Sequence, residues 1–179
     1  IKAQSDLNIT TLFDPNIDNN GAAHDKAAGL LEIVEDYNQK FGQDFTFVTH
    51  AKFKKDIAAR LGHKKPYAHI AKNPEQQINL LIVVDQMLTG FDSKWLNTLY
   101  LDKVIKYENI IQAFSRTNRL FNEIEKPFGT IRYYRKPHTM EQHINRAVKL
   151  YSGDKPIALF VQRLESNLNK LNALFKEIA

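Results

Sequence analysis

Residues 80–92 read LLIVVDQMLTGFD. Five branched aliphatic residues in succession, 80–84, predict a strand buried on both faces of a sheet. The run then ends at Asp85 and passes into a Thr-Gly-Phe-Asp turn at 89–92. Working outward, helical and strand patterns alternate. An apolar stripe of Leu30, Leu31, Ile33, Val34 and Tyr37 predicts a helix over 22–41, and FTFVT predicts a short strand at 45–49. KKDIAARL (54–61) reads as a helix ending near Gly62, and a loop through Pro66 and Pro74 leads to the 80–84 strand. TLYLD (98–102) and TIRYYR (130–135) are strands flanking a helix over 108–121, and two helices follow at 139–151 and 156–178. This order implies an α/β fold with a parallel sheet flanked by helices and a C-terminal helical extension. In such sheets ligands bind beyond the carboxyl ends of the strands, which is where Asp85 to Asp92 would lie.

The 179 residues suit one domain or one domain with an appendage, at 43% hydrophobic and 25% charged content. The chain begins at Ile1 and is read as a piece of a longer polypeptide. No cysteine is present, which excludes disulfides and cysteine-ligated metals and fits a reducing cytoplasm. No apolar run is long enough for a membrane span, and the N-terminus resembles neither a signal nor a transit peptide. The net charge of +5 is compatible with a polyanionic partner. It is concentrated in residues 50–72, where seven Lys/Arg face Asp56 alone.

The second decisive stretch is QAFSRTNR, 112–119. On a continuous helix Gln112, Arg116 and Arg119 would share one face, and two fixed arginines form a fork for phosphate oxygens. The bland alternative is a pair of arginines solvating a helix surface.

Taken together and in order, the two stretches resemble motifs V and VI of superfamily 2 helicases and translocases, in their second RecA-like motor domain. VVDQMLTGFDSKWLNTLYLDK followed by IIQAFSRTNRLF resembles more closely the motor (R) subunit of type I restriction–modification enzymes. The resemblance runs from FTFVTH to LYSGDKP and more loosely upstream through LFDPNIDNN. It implies that Arg119 is an arginine finger for the γ-phosphate of ATP. Arg116 is then a second phosphate contact or a partner of motif V, and Gln112 orients the attacking water or helps join two motor domains. Gly90 and Asp92 would shape the sugar side of the nucleotide, and Thr89 would contact a DNA phosphate. The sequence departs from the general pattern at Val84, Thr89 and Ser115.

The same resemblance implies a second RecA-like motor domain over 1–137 and the start of a helical domain over 138–179. The strand of motif IV, which opens such a domain, is expected to be absent or partial before residue 45. The parent would be a type I site-specific deoxyribonuclease with ATP-dependent translocation of double-stranded DNA, using ATP and Mg²⁺. Its partners would be DNA, the first motor domain of the same chain, and the methyltransferase and specificity subunits. No glycine precedes a lysine, so there is no phosphate-cradling GxxxxGK[ST] loop, and this stretch alone is expected to be inactive. Another superfamily 2 DNA motor and a non-catalytic interaction module are the alternative readings.

Other constellations carry less. Asp85 with Asp92-Ser93-Lys94 loosely mimics a nuclease metal site but follows a turn rather than a strand. His138 and His143 are five apart, which does not bring both to one helix face. Lys54, Lys55 and their basic neighbours, Arg60 included, either track a DNA backbone or solvate a helix whose other side carries Phe53, Ile57 and Leu61. Tyr133 and Tyr134 read as strand packing. The seam of the last helix either meets another domain or packs on this one.

Overall fold

The computed structural model describes residues 7–13, 23–84, 91, 93–120, 122, 124–152, 168–169, 171–174 and 176. Their elements run β1 (Ile9–Leu12), α1 (Ala23–Phe41), α2 (His50–Leu61), two 3-10 turns (Ile70–Lys72 and Pro74–Gln76), β2 (Leu80–Val83), β3 (Thr98–Leu101), α3 (Glu108–Ser115), β4 (Thr130–Tyr133) and α4 (Pro137–Ser152). The α/β class holds. The strands form two two-stranded parallel sheets, β1 with β2 and β3 with β4. Ile9 pairs with Leu80 and Leu12 with Val83; Thr98 pairs with Thr130 and Leu101 with Tyr133. Each pair is joined through helical crossover, as parallel pairing requires.

β1 lies upstream of residue 45, where an opening strand was expected to be absent or partial. Its Thr10 and Leu12 are buried. Its entry is fixed by Asn8, whose Nδ2 donates to the carbonyls of Glu75 (2.9 Å) and Gln77 (2.6 Å).

The first core is built by α1 and α2. Leu30, Val34, Tyr37 and Phe41 recur at helical spacing and meet Phe53 and Ile57, with Leu12 from β1. Leu81 and Val83 of β2 pack against this cluster. Leu31, expected on the apolar side of α1, is 50% exposed, one position off the stripe. β2 itself departs from a strand covered on both faces: each of its residues is half-buried, and Val84 is 44% exposed. Among the described residues its hydrogen-bonded neighbour is β1 on one side only.

The strand expected at 45–49 does not form. α1 ends at Gly42, whose φ of +64° suits a residue without Cβ. Asn38 then clamps the returning chain: its Oδ1 accepts from the Phe45 N–H at 2.9 Å and its Nδ2 donates to the Phe45 carbonyl at 2.7 Å. The Thr46 N–H donates to Thr49 Oγ1 at 2.7 Å. These side-chain bonds replace a sheet ladder, and Phe45 packs its ring on Tyr37 and Phe53.

The second core unites β3, β4, α3 and α4. Leu101, Ile105, Ile110, Ala113, Met140 and Ala147 are buried together, with Leu99, Ile131 and Tyr133 packed on them. Tyr133 thus faces the core, while Tyr134 is 61% exposed and stacks on Tyr100, at 6.3 Å between ring centroids. His143 is half-buried, its Nδ1 3.1 Å from the Ile105 carbonyl oxygen. Among the described residues no helix is long and apolar enough to cross a membrane.

Candidate functional site

α3 stops at Ser115 instead of running to 121. Short hydroxyl side chains end it by bonding back into the last turn. Ser115 Oγ donates to the Gln112 carbonyl (2.7 Å) and Thr117 Oγ1 to the Phe114 carbonyl (3.3 Å). Gln112 is therefore helical and half-buried, Arg116 sits at the C-cap, and Arg119 lies on irregular backbone beyond the helix. The expectation of one helical face carrying Gln112, Arg116 and Arg119 is corrected: the helix ends before Arg119, so the three do not share one helical face.

Arg116 is turned inward. Its Nε donates to the Gln112 carbonyl at 3.0 Å and its Nη1 to the carbonyl of Phe91. That second bond ties the end of α3 to the segment that follows β2. Arg119 is exposed. It borders a shallow pocket of about 330 Å³, lined in addition by Gly62, His63, Lys64, Lys94 and Trp95.

Two further side chains hold this junction. Ser93 is buried, donating from Oγ to the Leu61 carbonyl (3.0 Å) and accepting from the Trp95 N–H (3.1 Å). It binds the segment after β2 to the end of α2. Lys126 is 5% exposed, and its ammonium donates to the carbonyls of Lys94 (3.0 Å) and Arg119. Burial pushes its pKa below the usual lysine value. Neither residue stands out in the sequence, since serine in a turn and lysine beside a proline are ordinary surface patterns.

The pocket wall is an aromatic stack. His63 lies on Trp95 at 4.1 Å between centroids and 12° between planes, and Lys94 Nζ sits 5.2 Å from the Trp95 ring centroid. His63 adopts φ +47°, a left-handed conformation that costs a non-glycine residue about 1–2 kcal/mol. Its Nδ1 is buried without a hydrogen-bond partner. Burial, and then the charge of Lys94, lower its pKa from 6.5.

The other expected site residues divide. Thr89, Gly90 and Asp92 lie outside the described residues, as does Asp85. Lys54 and Lys55 are exposed on α2. Arg60 is not on that surface, where both readings of the basic segment had put it. It is 1% exposed and donates from Nε to the Tyr37 hydroxyl (3.1 Å), from Nη1 to the Gln76 carbonyl (2.8 Å), and from Nη2 to the Tyr67 hydroxyl (2.9 Å). Both tyrosines donate in turn to Asp56, Tyr37 at 2.7 Å and Tyr67 at 2.5 Å. A buried guanidinium needs such partners, and they come from distant parts of the chain. Among the described residues no group of three or more His, Asp or Glu could hold a metal ion.

Chemically, the described residues of the pocket offer cations and aromatic surface, with no carboxylate among them. Such a set suits phosphate oxygens. The family model for domain 3 of the type I restriction enzyme R subunit matches residues 1–136. The chain belongs to this R-subunit family. It is 38% identical over 160 residues to the SauCOLORF180P endonuclease subunit of a Staphylococcus aureus type I restriction enzyme, covering 84% of this chain and 15% of that protein. To the SsaAORF53P endonuclease subunit of Staphylococcus saprophyticus it is 42% identical over 123 residues, 69% of this chain and 12% of the relative. A putative type I restriction endonuclease subunit of Methanocaldococcus jannaschii, MjaIXP, is 29% identical over 137 residues, 72% of this chain and 13% of the relative. The R-subunit chain described here thus spans about 15% of the length of the curated relatives it matches.

Proposed function

We propose that this stretch of the R subunit is the second RecA-like motor domain and supplies half of an ATP site that drives translocation of double-stranded DNA before cleavage. The observation that carries the reading is the division of labour between the arginines. Arg116 is engaged with the Phe91 and Gln112 carbonyls, whereas Arg119 is exposed at the rim of a cationic pocket.

In this reading Arg119 reaches across a cleft to the γ-phosphate of ATP held by the first motor domain. Charge develops on the phosphate oxygens during transfer to water, and a guanidinium placed there accelerates the step by roughly 10³–10⁵. Arg116 acts at one remove, tethering the end of α3 to Phe91 of the segment after β2, while Thr89, Gly90 and Asp92 are the further nucleotide- and DNA-facing residues of this reading. Gln112 belongs to the same junction through its carbonyl, which accepts from both Ser115 and Arg116. Mg²⁺ would be held by the first motor domain. Differential binding of ATP and its products would open and close the two motor domains and so move DNA. Lys54 and Lys55, exposed on α2, are candidate contacts to the DNA backbone. The working enzyme would assemble with methyltransferase and specificity subunits in the cytoplasm, and this stretch by itself would be inactive.

Displacement of a third strand bound ahead of the enzyme on linear DNA tests the motor directly. Arg119→Ala in the full-length subunit is expected to abolish displacement while the assembled enzyme still binds its DNA. Displacement at the wild-type rate would refute the motor reading.

A further inference from the structure

Arg119 lies beyond the last turn of α3, so no helical hydrogen-bond ladder holds its backbone. Its own carbonyl nevertheless has a partner, the ammonium of Lys126, seven residues further on. The same ammonium holds the carbonyl of Lys94 at 3.0 Å, on the segment that follows β2. Lys126 is therefore a two-point link between the two segments that the ATP-site reading needs in register. An apolar side chain would fill this space without a desolvation penalty, and burying an ammonium is unfavourable by several kcal/mol unless its donors are satisfied. Charge-assisted bonds to two carbonyls from separate segments compensate for that penalty and give the link a fixed geometry.

We infer that Lys126 is a positioning residue for Arg119, setting the place of that arginine relative to the Lys94–Trp95 wall of the pocket. The inference rests on the reading of Arg119 as the arginine that acts on ATP. Lys126 does not reach the pocket's lining and acts through the backbone of its two partners. Arg116 tethers the helix end to Phe91, and Lys126 tethers the chain beyond it to Lys94, so the junction is pinned at two successive points. A displacement of about 1 Å at a reacting group is enough to lower a rate by 10²-fold.

The test is DNA-stimulated ATP hydrolysis by the full-length R subunit in its assembled enzyme, with Lys126→Met, Lys126→Arg, Arg119→Ala and the Arg119→Ala/Lys126→Met double variant. Lys126→Met is expected to lower kcat roughly 10- to 100-fold while KM for ATP and DNA binding stay within about threefold. Lys126→Arg, which can still donate to both carbonyls, is expected to restore most of kcat. The double variant is expected to be no slower than Arg119→Ala alone, because both changes remove one function. Wild-type kcat in Lys126→Met beside an inactive Arg119→Ala overturns the inference and leaves the motor reading standing. An additive double variant also overturns it. Wild-type hydrolysis by Arg119→Ala overturns the motor reading, and the inference with it. Should Lys126→Met fail to fold, Lys126→Gln, which stays polar but whose shorter amide cannot span both carbonyls, takes its place: reduced kcat with the same non-additivity upholds the inference, and wild-type kcat overturns it.

Discussion

Gly129 packs directly against Thr117: a Cβ at residue 129 would lie 2.2 Å from the Thr117 carbonyl oxygen and 2.6 Å from its Cβ. Thr117 is buried between Arg116 and Arg119, so the glycine that leads into β4 also sets the backbone between the two arginines. Rotating a side chain cannot relieve the clash, because the nearest atom is backbone. Gly129→Ala is expected to destabilise the chain by about 1–3 kcal/mol, as overpacking does. Urea unfolding measures it, and an unchanged midpoint would contradict the close approach.

The Arg60 cluster makes a separate prediction about stability. Its guanidinium is buried, with the ring centroids of Tyr67 and Phe41 at 4.1 and 4.2 Å and the Asp56 carboxylate 3.7 Å away. Arg60→Ala leaves Asp56 largely buried without its cation and is expected to cost about 3–5 kcal/mol. A loss below about 1 kcal/mol, the value of an exposed pair, would contradict the buried network.

Alkali tests the same cluster through its tyrosines. Burial, and then the bond to Asp56, push the Tyr67 hydroxyl up to about 12 and the Tyr37 hydroxyl well above its usual 10. An unfolded tyrosine ionises near 10, so the stability these groups contribute is whole below that pH and is lost as pH rises from 10 toward 12. Tyrosinate absorbance in the folded chain should show a late class of residues that shrinks in Tyr67→Phe. A single transition near pH 10, unchanged in that variant, would contradict it.

His63 and Trp95 allow an acid-side test, since Trp95 is the single tryptophan of the chain. His63 is neutral at pH 7, its pKa depressed by burial and by Lys94, with Lys64 and Arg119 also bordering the same pocket. The stability linked to that depression is present above pH 6.5 and falls as pH drops through and below it. Protonating the ring stacked on the indole should quench Trp95 fluorescence, with a midpoint below 6.5 that disappears in His63→Gln. A midpoint at or above 6.5 would contradict the packing.

Local patterns made much of this fold legible. The stripe of α1, the strands β2, β3 and β4, and the α/β class all follow from short-range periodicity, whereas β1, the parallel partner of β2, did not stand out as a strand. The failures occurred where a distant or single side chain decided the outcome. FTFVT has strand propensity, yet one asparagine in α1 takes its backbone groups. Arg60 reads as a surface charge because its partners Tyr37, Tyr67 and Gln76 all lie outside its own helix. A signal did exist for the early end of α3: the Ser115-Arg116-Thr117-Asn118 run is rich in groups that bond back to the helix carbonyls. Arg119 stood out through the spacing of QAFSRTNR, whereas Lys126 carries no pattern and emerges only when its two carbonyl partners are seen together.

Steady-state ATP hydrolysis by the full-length R subunit in its assembled enzyme, with and without DNA, is the most direct measurement of the central claim. Arg119→Ala is expected to lower DNA-stimulated hydrolysis by at least about 10²-fold, as loss of a finger arginine does, with DNA affinity unchanged. Hydrolysis at the wild-type rate would contradict the claim and return Arg119 to the role of a solvated surface charge.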